Sequence, residues 1–272
     1  MSAFRKFCLF SLFAMMWAAV SAAAHADDAS QWSGPEQGQM RLVSGGALND
    51  GKLYAGLEVK LDKGWKTYWR SPGDSGIPPF FDWTGSENVS DVKVRWPAPK
   101  RFRDDFGLSI GYKKDVVFPL QITPKDRNEP VSLKLKAQYG VCSNICIPAT
   151  AELALNLQNN ASGKYLPQIK KSLARVPSQS LDGVKIKGAS VKTKGKDVML
   201  NVAVQADDSV PLEVFVEGPQ KFYFETPQAQ GNSMLYTLRV DGAKAPEDLK
   251  GAELTVTIVQ GKRSLERNIV VD

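Results

Sequence analysis

Two cysteines, Cys142 and Cys146, are the residues of this 272-residue chain whose type and spacing point most directly to chemistry. They lie within residues 139–148, and three residues separate them. The third cysteine, Cys8, and the only histidine, His25, lie in an N-terminal segment that has the pattern of an export signal. Without that segment the chain keeps two cysteines and no histidine, and thiol–disulfide exchange is the first chemistry to consider.

The N-terminal residues 1–26 have the features of a secretory signal peptide. Arg5 and Lys6 precede an apolar run over residues 7–20, and small residues frame a cleavage site after Ala26. We therefore expect a cleaved signal and a periplasmic protein, with an N-terminal membrane anchor as the alternative. No later segment approaches the ~20 apolar residues of a spanning helix, so we expect no membrane insertion.

The charge of the chain argues against nucleic acid as a partner. The net charge of the full sequence is +6, and its lysines are scattered through strand-like segments, as is typical of solvated faces. A nucleic-acid-binding protein would be expected to collect its basic residues on one patch or stripe.

Three functions remain open for the cysteine pair. A structural disulfide is the ordinary outcome for two cysteines in an exported protein, and it would make the chain a redox-inert interaction scaffold. Against this, a five-residue loop contributes only about 2 kcal/mol in the chain-entropy model. Gly140 and Pro148 also indicate an exposed turn, where a partner's thiolate can reach sulfur. Thiol–disulfide exchange between partner proteins is the second interpretation of the cysteine pair.

Metal binding is the third reading. Two thiolates at this spacing could hold Cu(I), as in a copper-tolerance protein, whereas zinc would need two further ligands and the mature chain has no histidine. We expect no metal and no other cofactor. The lack of a histidine base also excludes hydrolysis by a Cys–His pair in the mature chain.

The elements that must position the cysteines are predicted to be strands. Period-two alternation with Gly and Pro between the runs predicts a β-sandwich over residues 27–158. Residues 159–178 read as a linker with a short helix, in which Pro167 suits the first turn and Pro177 ends the pattern. Alternation returns over residues 179–272 and predicts a second β-sandwich, to which the sequence assigns no role. The expected class is all-β.

Residues 35–158 resemble a known family. Three motifs carry the resemblance: GWKTYWRSPG at residues 64–73, FRDDFG at residues 102–107 followed by Tyr112, and ICIP at residues 145–148. Together and in this order they are similar to the N-terminal periplasmic domain of DsbD thiol:disulfide interchange proteins, and more closely to the related ScsB-type proteins.

The resemblance implies an immunoglobulin-like sandwich in which Cys142 and Cys146 shuttle electrons. It implies thioredoxin-like periplasmic partners, such as disulfide isomerases and cytochrome-maturation thioredoxins, and a membrane electron donor, which we expect on a separate chain. It makes Cys146 the sulfur that links to partners. Phe106, preceded by Asp104 and Asp105, matches a cap that shields the disulfide, and Tyr68 matches an aromatic residue beside the site.

Overall fold

The computed structural model describes residues 28–47, 52–104, 107–158, 163–206, 210–229 and 234–272. Almost all regular structure in these residues is strand, so the expected all-β class is confirmed. No helix in these ranges is long and apolar enough to span a membrane. The expected signal peptide, residues 1–26, lies outside the described residues and stays a prediction.

The first ten strands form two antiparallel sheets. Their bounds are β1 Gly38–Ala47, β2 Leu53–Leu61, β3 Lys66–Tyr68, β4 Phe80–Asp82, β5 Val89–Val94, β6 Lys100–Asp104, β7 Gly107–Tyr112, β8 Val116–Pro124, β9 Val131–Cys142 and β10 Cys146–Leu157. One sheet has the order β1-β2-β8-β5. The other has the order β10-β9-β3-β7-β6, and β4 pairs with β9 beside that path.

The core of this first sandwich lies between the two sheets and follows from the period-two pattern. Leu57 and Leu120 enter it from the first sheet, and Leu133 and Leu155 enter it from the second, each at most 3% exposed. Because neighbouring residues of a strand face opposite sides, the residues between them reach the outer faces. The immunoglobulin-like β-sandwich expected from the sequence is confirmed.

One α-helix occurs among the described residues, α1 at Leu166–Leu173, with Pro167 in its first turn as expected. It ends before Val176 and Pro177, so the apolar spacing of the sequence extended the helix too far. Ile169 is buried against Val43 and Val117, which lie on the outer face of the first sheet. The helix therefore covers the side of the sandwich that lies away from the second sheet.

The remaining strands form a second pair of sheets. Their bounds are β11 Lys185–Lys194, β12 Asp197–Gln205, β13 Leu212–Glu217, β14 Tyr223–Phe224, β15 Gln228–Ala229, β16 Leu235–Asp241, β17 Glu253–Gln260 and β18 Arg263–Val270, with a short 3₁₀ helix at Pro246–Asp248. One sheet has the order β11-β12-β16-β14, with β15 also on β16, and the other has the order β13-β17-β18.

The second pair of sheets has its own core but also contacts the first. Val214 and Val216 of β13 face the second core, together with Leu200 and Ile258. Phe215, between the two valines, points the other way and is buried in the core of the first sandwich. We keep the division into 27–158, a linker 159–178, and 179–272 as a proposal for the domain boundaries.

Candidate functional site

The cysteine pair closes the tip of a β-hairpin. Strands β9 and β10 pair along their whole length, and this register sets Cys142 directly opposite Cys146. Their Cα atoms are 4.1 Å apart, and a disulfide joins the two side chains. The three residues between them form the turn, so each cysteine is the last paired residue of its strand. The sequence had instead suggested that the cysteines belong to the turn itself.

The two cysteines differ in exposure. Cys142 is 0% exposed, whereas Cys146 is partly exposed and the neighbouring Ile145 is 61% exposed. A large apolar side chain at such exposure offers contact area to another protein. The arrangement therefore gives an incoming thiolate access to Cys146 and keeps Cys142 covered. The sequence had placed both cysteines in an exposed turn, and for Cys142 this was wrong.

Tyr68 lies beside the accessible sulfur. It is the last residue of β3, which is held between β9 and β7, and it is 2% exposed. Its hydroxyl lies 3.5 Å from Cys146 Sγ, within reach of a hydrogen bond to sulfur. A thiolate accepts such a bond far better than a neutral disulfide sulfur does, because the acceptor is then charged. Tyr68 is thus placed to favour the reduced state of Cys146.

Two glycines make room for the Tyr68 ring. A Cβ atom on Gly140 would lie 2.9 Å from the ring and 2.7 Å from Ile77 Cβ, and one on Gly76 would lie 2.9 Å from the ring. No real side chain tolerates such distances without a shift of the neighbours. Gly140 therefore lets both Tyr68 and Ile77 approach the backbone of β9 two residues before Cys142.

Lys66 is a functional candidate that the sequence analysis missed. It pairs with Cys142 in the register of β3 and β9, so it belongs to the same outer face of the sheet. It is 3% exposed, and its Nζ donates a hydrogen bond to Ser109 Oγ at 2.9 Å. Its Nζ also lies 5.9 Å from the centre of the Tyr68 ring. A buried positive charge on this face favours a thiolate over a thiol.

The predicted cap residues are mostly outside the described part of the chain. Asp104 ends β6 and pairs with Gly107, the first residue of β7, while Asp105 and Phe106 lie between the described ranges. Gly107 has φ of 115°, a backbone conformation that glycine adopts without strain. The shielding roles of Asp104, Asp105, Phe106 and Tyr68 stay predictions.

Within the described ranges no group of three or more His, Cys, Asp or Glu side chains is arranged to hold a metal ion. The two sulfurs are bonded to each other in this structure.

Comparison with known proteins gives two family matches along the chain. Residues 40–158 match the family described as thiol:disulfide interchange protein DsbD, N-terminal. Residues 175–272 match a domain of unknown function, DUF8393. Among curated proteins no significant match was found.

A solved structure resembles most of the chain. The N-terminal periplasmic domain of ScsB from Proteus mirabilis superimposes with a TM-score of 0.70 at 27% sequence identity. The match covers 90% of this chain and 99% of that one, so it includes both sandwiches. Together with the family match, this likeness shows that residues 40–158 of the chain form a DsbD N-terminal-like domain.

Proposed function

We propose that the chain is a periplasmic thiol–disulfide exchange module that passes electrons through Cys142 and Cys146 between partner oxidoreductases. The observation that carries the proposal is the asymmetric disulfide at the hairpin tip. Cys142 is buried and Cys146 is partly exposed, with a tyrosine hydroxyl 3.5 Å from Cys146 Sγ. The DsbD N-terminal-like domain and the likeness to a periplasmic ScsB domain support both the chemistry and the location.

The exchange begins with attack on the accessible sulfur. A donor thiolate attacks Cys146 Sγ, the bond to Cys142 breaks, and Cys142 leaves as a thiolate. A second donor thiolate then attacks the donor's own sulfur in the mixed disulfide, which releases Cys146 and leaves the donor oxidised. The pair has then gained two electrons, and two protons once both thiolates are protonated. The same steps in reverse pass the electrons to an acceptor disulfide.

The buried residues around the pair assist these steps. The Tyr68 hydroxyl donates a hydrogen bond to the Cys146 thiolate when that thiolate forms, and Lys66 supplies positive charge on the face that carries Cys142. Both effects favour the thiolates that exchange requires. Cys146 is therefore the partner-linked cysteine in this proposal.

The partners are proposed from the family and from the surface around the pair. We assign thioredoxin-like periplasmic proteins as exchange partners and a membrane protein on a separate chain as the electron donor. Ile145, in the turn between the cysteines, and Phe80, which lies on β4 beside β9 and is 60% exposed, provide apolar contact area. Phe106, with Asp104 and Asp105, is proposed to cap the disulfide until a partner docks.

Trapping of the mixed disulfide tests this function. Cys142→Ser leaves Cys146 free to attack and removes the resolving sulfur, so it should accumulate a mixed disulfide with an oxidised thioredoxin-like protein. Cys146→Ser is the matched control and should trap far less, because Cys142 is covered. If neither variant forms a mixed disulfide while the reduced parent protein retains Cu(I) against a competing chelator, the copper function replaces exchange. If no mixed disulfide forms, no Cu(I) is retained and a variant lacking both cysteines keeps its activity in the cell, the chain is an interaction scaffold.

A further inference from the structure

The second sandwich holds the chain segment that follows Tyr68. Arg70, two residues beyond Tyr68, donates hydrogen bonds from Nε and Nη2 to Glu217 at 2.7–3.2 Å, and its Nη2 also contacts Glu266 at 2.5 Å. Glu217 ends β13 and Glu266 lies on β18, so both carboxylates belong to the second sandwich. Burial opposes the charge of Arg70, but the two carboxylates outweigh it and hold the pKa of the guanidinium above its ordinary value.

An aromatic contact extends this attachment into the core. Trp69 and Phe215 meet edge to face, with ring centres 5.6 Å apart, and the Arg70 guanidinium lies 4.5 Å from the centre of the Trp69 ring. The guanidinium of Arg101, on β6 of the first sandwich, lies 4.8 Å from the centre of the Phe215 ring. Its Nη2 donates a hydrogen bond to the Val214 carbonyl. Two buried rings and two guanidinium groups thus join β6 and the residues just after β3 to β13.

A second attachment lies four residues further along the segment. The Tyr223 hydroxyl, from β14 of the second sandwich, donates a hydrogen bond to Asp74 Oδ1. Between the two attachments the segment stays on the first sandwich, because the Ile110 amide donates to the Pro72 carbonyl at 2.7 Å. The segment 70–74 is therefore fixed from both sides.

This segment adjoins the Tyr68 ring at both of its ends. Tyr68 ends β3 two residues before Arg70, and Gly76 and Ile77, just after Asp74, pack near the ring and over Gly140. A shift of segment 70–74 must therefore move either the backbone of Tyr68 or the residues that pack on its ring. The Tyr68 hydroxyl would then leave its position 3.5 Å from Cys146 Sγ.

We propose that the second sandwich is a positioning element of the redox site, with Arg70 as its positioning residue. Glu217 and Glu266 of the second sandwich hold Arg70 in place. Arg70 in turn holds the Tyr68 hydroxyl in its position beside Cys146 Sγ. The inference rests on the exchange function proposed above. It assigns the second sandwich a part in setting how readily the disulfide is reduced, although the second sandwich itself carries no cysteine.

The test removes the two carboxylate charges and measures the redox equilibrium of the full chain. Glu217→Gln with Glu266→Gln should lower the equilibrium constant for reduction by glutathione about threefold, since Tyr68 is less firmly held. The matched control is Glu225→Gln with Asp241→Asn, which removes two carboxylates from Arg239 within the second sandwich alone. The control should leave the equilibrium constant unchanged. Thermal unfolding of both variants checks that they are folded.

The route through Tyr68 is tested by a double-mutant cycle. In a Tyr68→Phe background, the Glu217 and Glu266 substitutions should have no further effect on the equilibrium constant. The proposal is overturned if the variant with Glu217→Gln and Glu266→Gln is folded and has the equilibrium constant of the parent. It is also overturned if these two substitutions have an equal effect in the parent and in the Tyr68→Phe background. If that variant does not fold, Tyr223→Phe, which removes only the contact with Asp74, decides in the same assay by the same criteria. A parent protein that glutathione cannot reduce at all instead refutes the exchange function.

Discussion

Replacing Tyr68 by phenylalanine should make the Cys142–Cys146 disulfide harder to reduce. The substitution keeps the ring that packs between Gly76 and Gly140 and removes only the hydroxyl, which lies 3.5 Å from Cys146 Sγ. In the oxidised protein this hydroxyl faces a neutral sulfur, which is a weak acceptor. The thiolate form of reduced Cys146 accepts this hydrogen bond far more strongly, so the lost interaction falls mainly on the reduced state.

The size of the effect follows from hydrogen-bond energies. A typical net hydrogen bond contributes about 1 kcal/mol, and one to a charged group contributes about 1.5–3 kcal/mol. The difference between the two redox states is therefore about 0.5–2 kcal/mol. For a two-electron couple this makes the reduction potential about 10–40 mV more negative, which is about a two- to thirtyfold fall in the equilibrium constant.

The assay is equilibration with glutathione redox buffers at pH 7, with the thiols then trapped by alkylation and counted by mass. The matched control is Tyr139→Phe, because Tyr139 is also buried on β9 but donates its hydroxyl to the Gly38 carbonyl at 2.6 Å, on the core side. The control should lose stability and keep the parent potential. Equal potentials for Tyr68→Phe and the parent would refute the assignment of Tyr68 to the sulfur.

Three further predictions concern the surroundings of the pair. Gly140→Ala should destabilise the protein by about 1–3 kcal/mol and slow thiol–disulfide exchange, because the added Cβ would displace Tyr68 and Ile77. Urea unfolding measures the loss of stability, and the rate of exchange measures the second effect. A variant with the stability and rate of the parent would contradict the packing described. Phe106→Ala should speed the reaction of the reduced pair with a small disulfide in stopped-flow measurements, while large destabilisation at an unchanged rate would make Phe106 a core residue. Ile145→Ser should weaken docking of a thioredoxin-like partner, measured as the concentration dependence of exchange, and leave the small-molecule rate unchanged; equal effects on both rates would place Ile145 outside the docking surface.

The domain family and many of the strands could be predicted from the sequence. The alternation over residues 53–61 is regular and every second residue enters the core, so the pattern alone predicts β2. The strands β3, β6 and β7 were not predicted. They are short or rich in glycine and charge, and tertiary pairing with neighbours forms them where local propensity does not.

The details of the site could be predicted only in part. The cysteine pair stood out from residue type alone, and the resemblance supplied Tyr68. The burial of Cys142 was missed because Gly140 interrupts the alternation of β9, and the ring that packs against Gly140 belongs to Tyr68, 72 positions earlier in the chain. Lys66 was missed because an isolated lysine is ordinarily exposed, and only the register with Cys142 and the bond to Ser109 reveal it.

The contacts between the sandwiches lay beyond sequence reasoning altogether. Arg70 and Glu217 are 147 residues apart, and neither stands in a pattern that would pair them. Phe215 reads as a residue of an ordinary strand, yet its ring enters the core of the other sandwich. Long-range pairs of this kind follow from the docking of two completed folds, which no local pattern encodes.

The reduction potential of the Cys142–Cys146 pair tests the central claim most directly. The claim is that this disulfide carries electrons and is not a passive covalent link. Equilibration of the parent protein with glutathione buffers should give a potential above about −300 mV, in the range of proteins that exchange disulfides. A potential below that value would place the pair among structural disulfides, and would contradict the account of this chain as an electron-carrying exchange module.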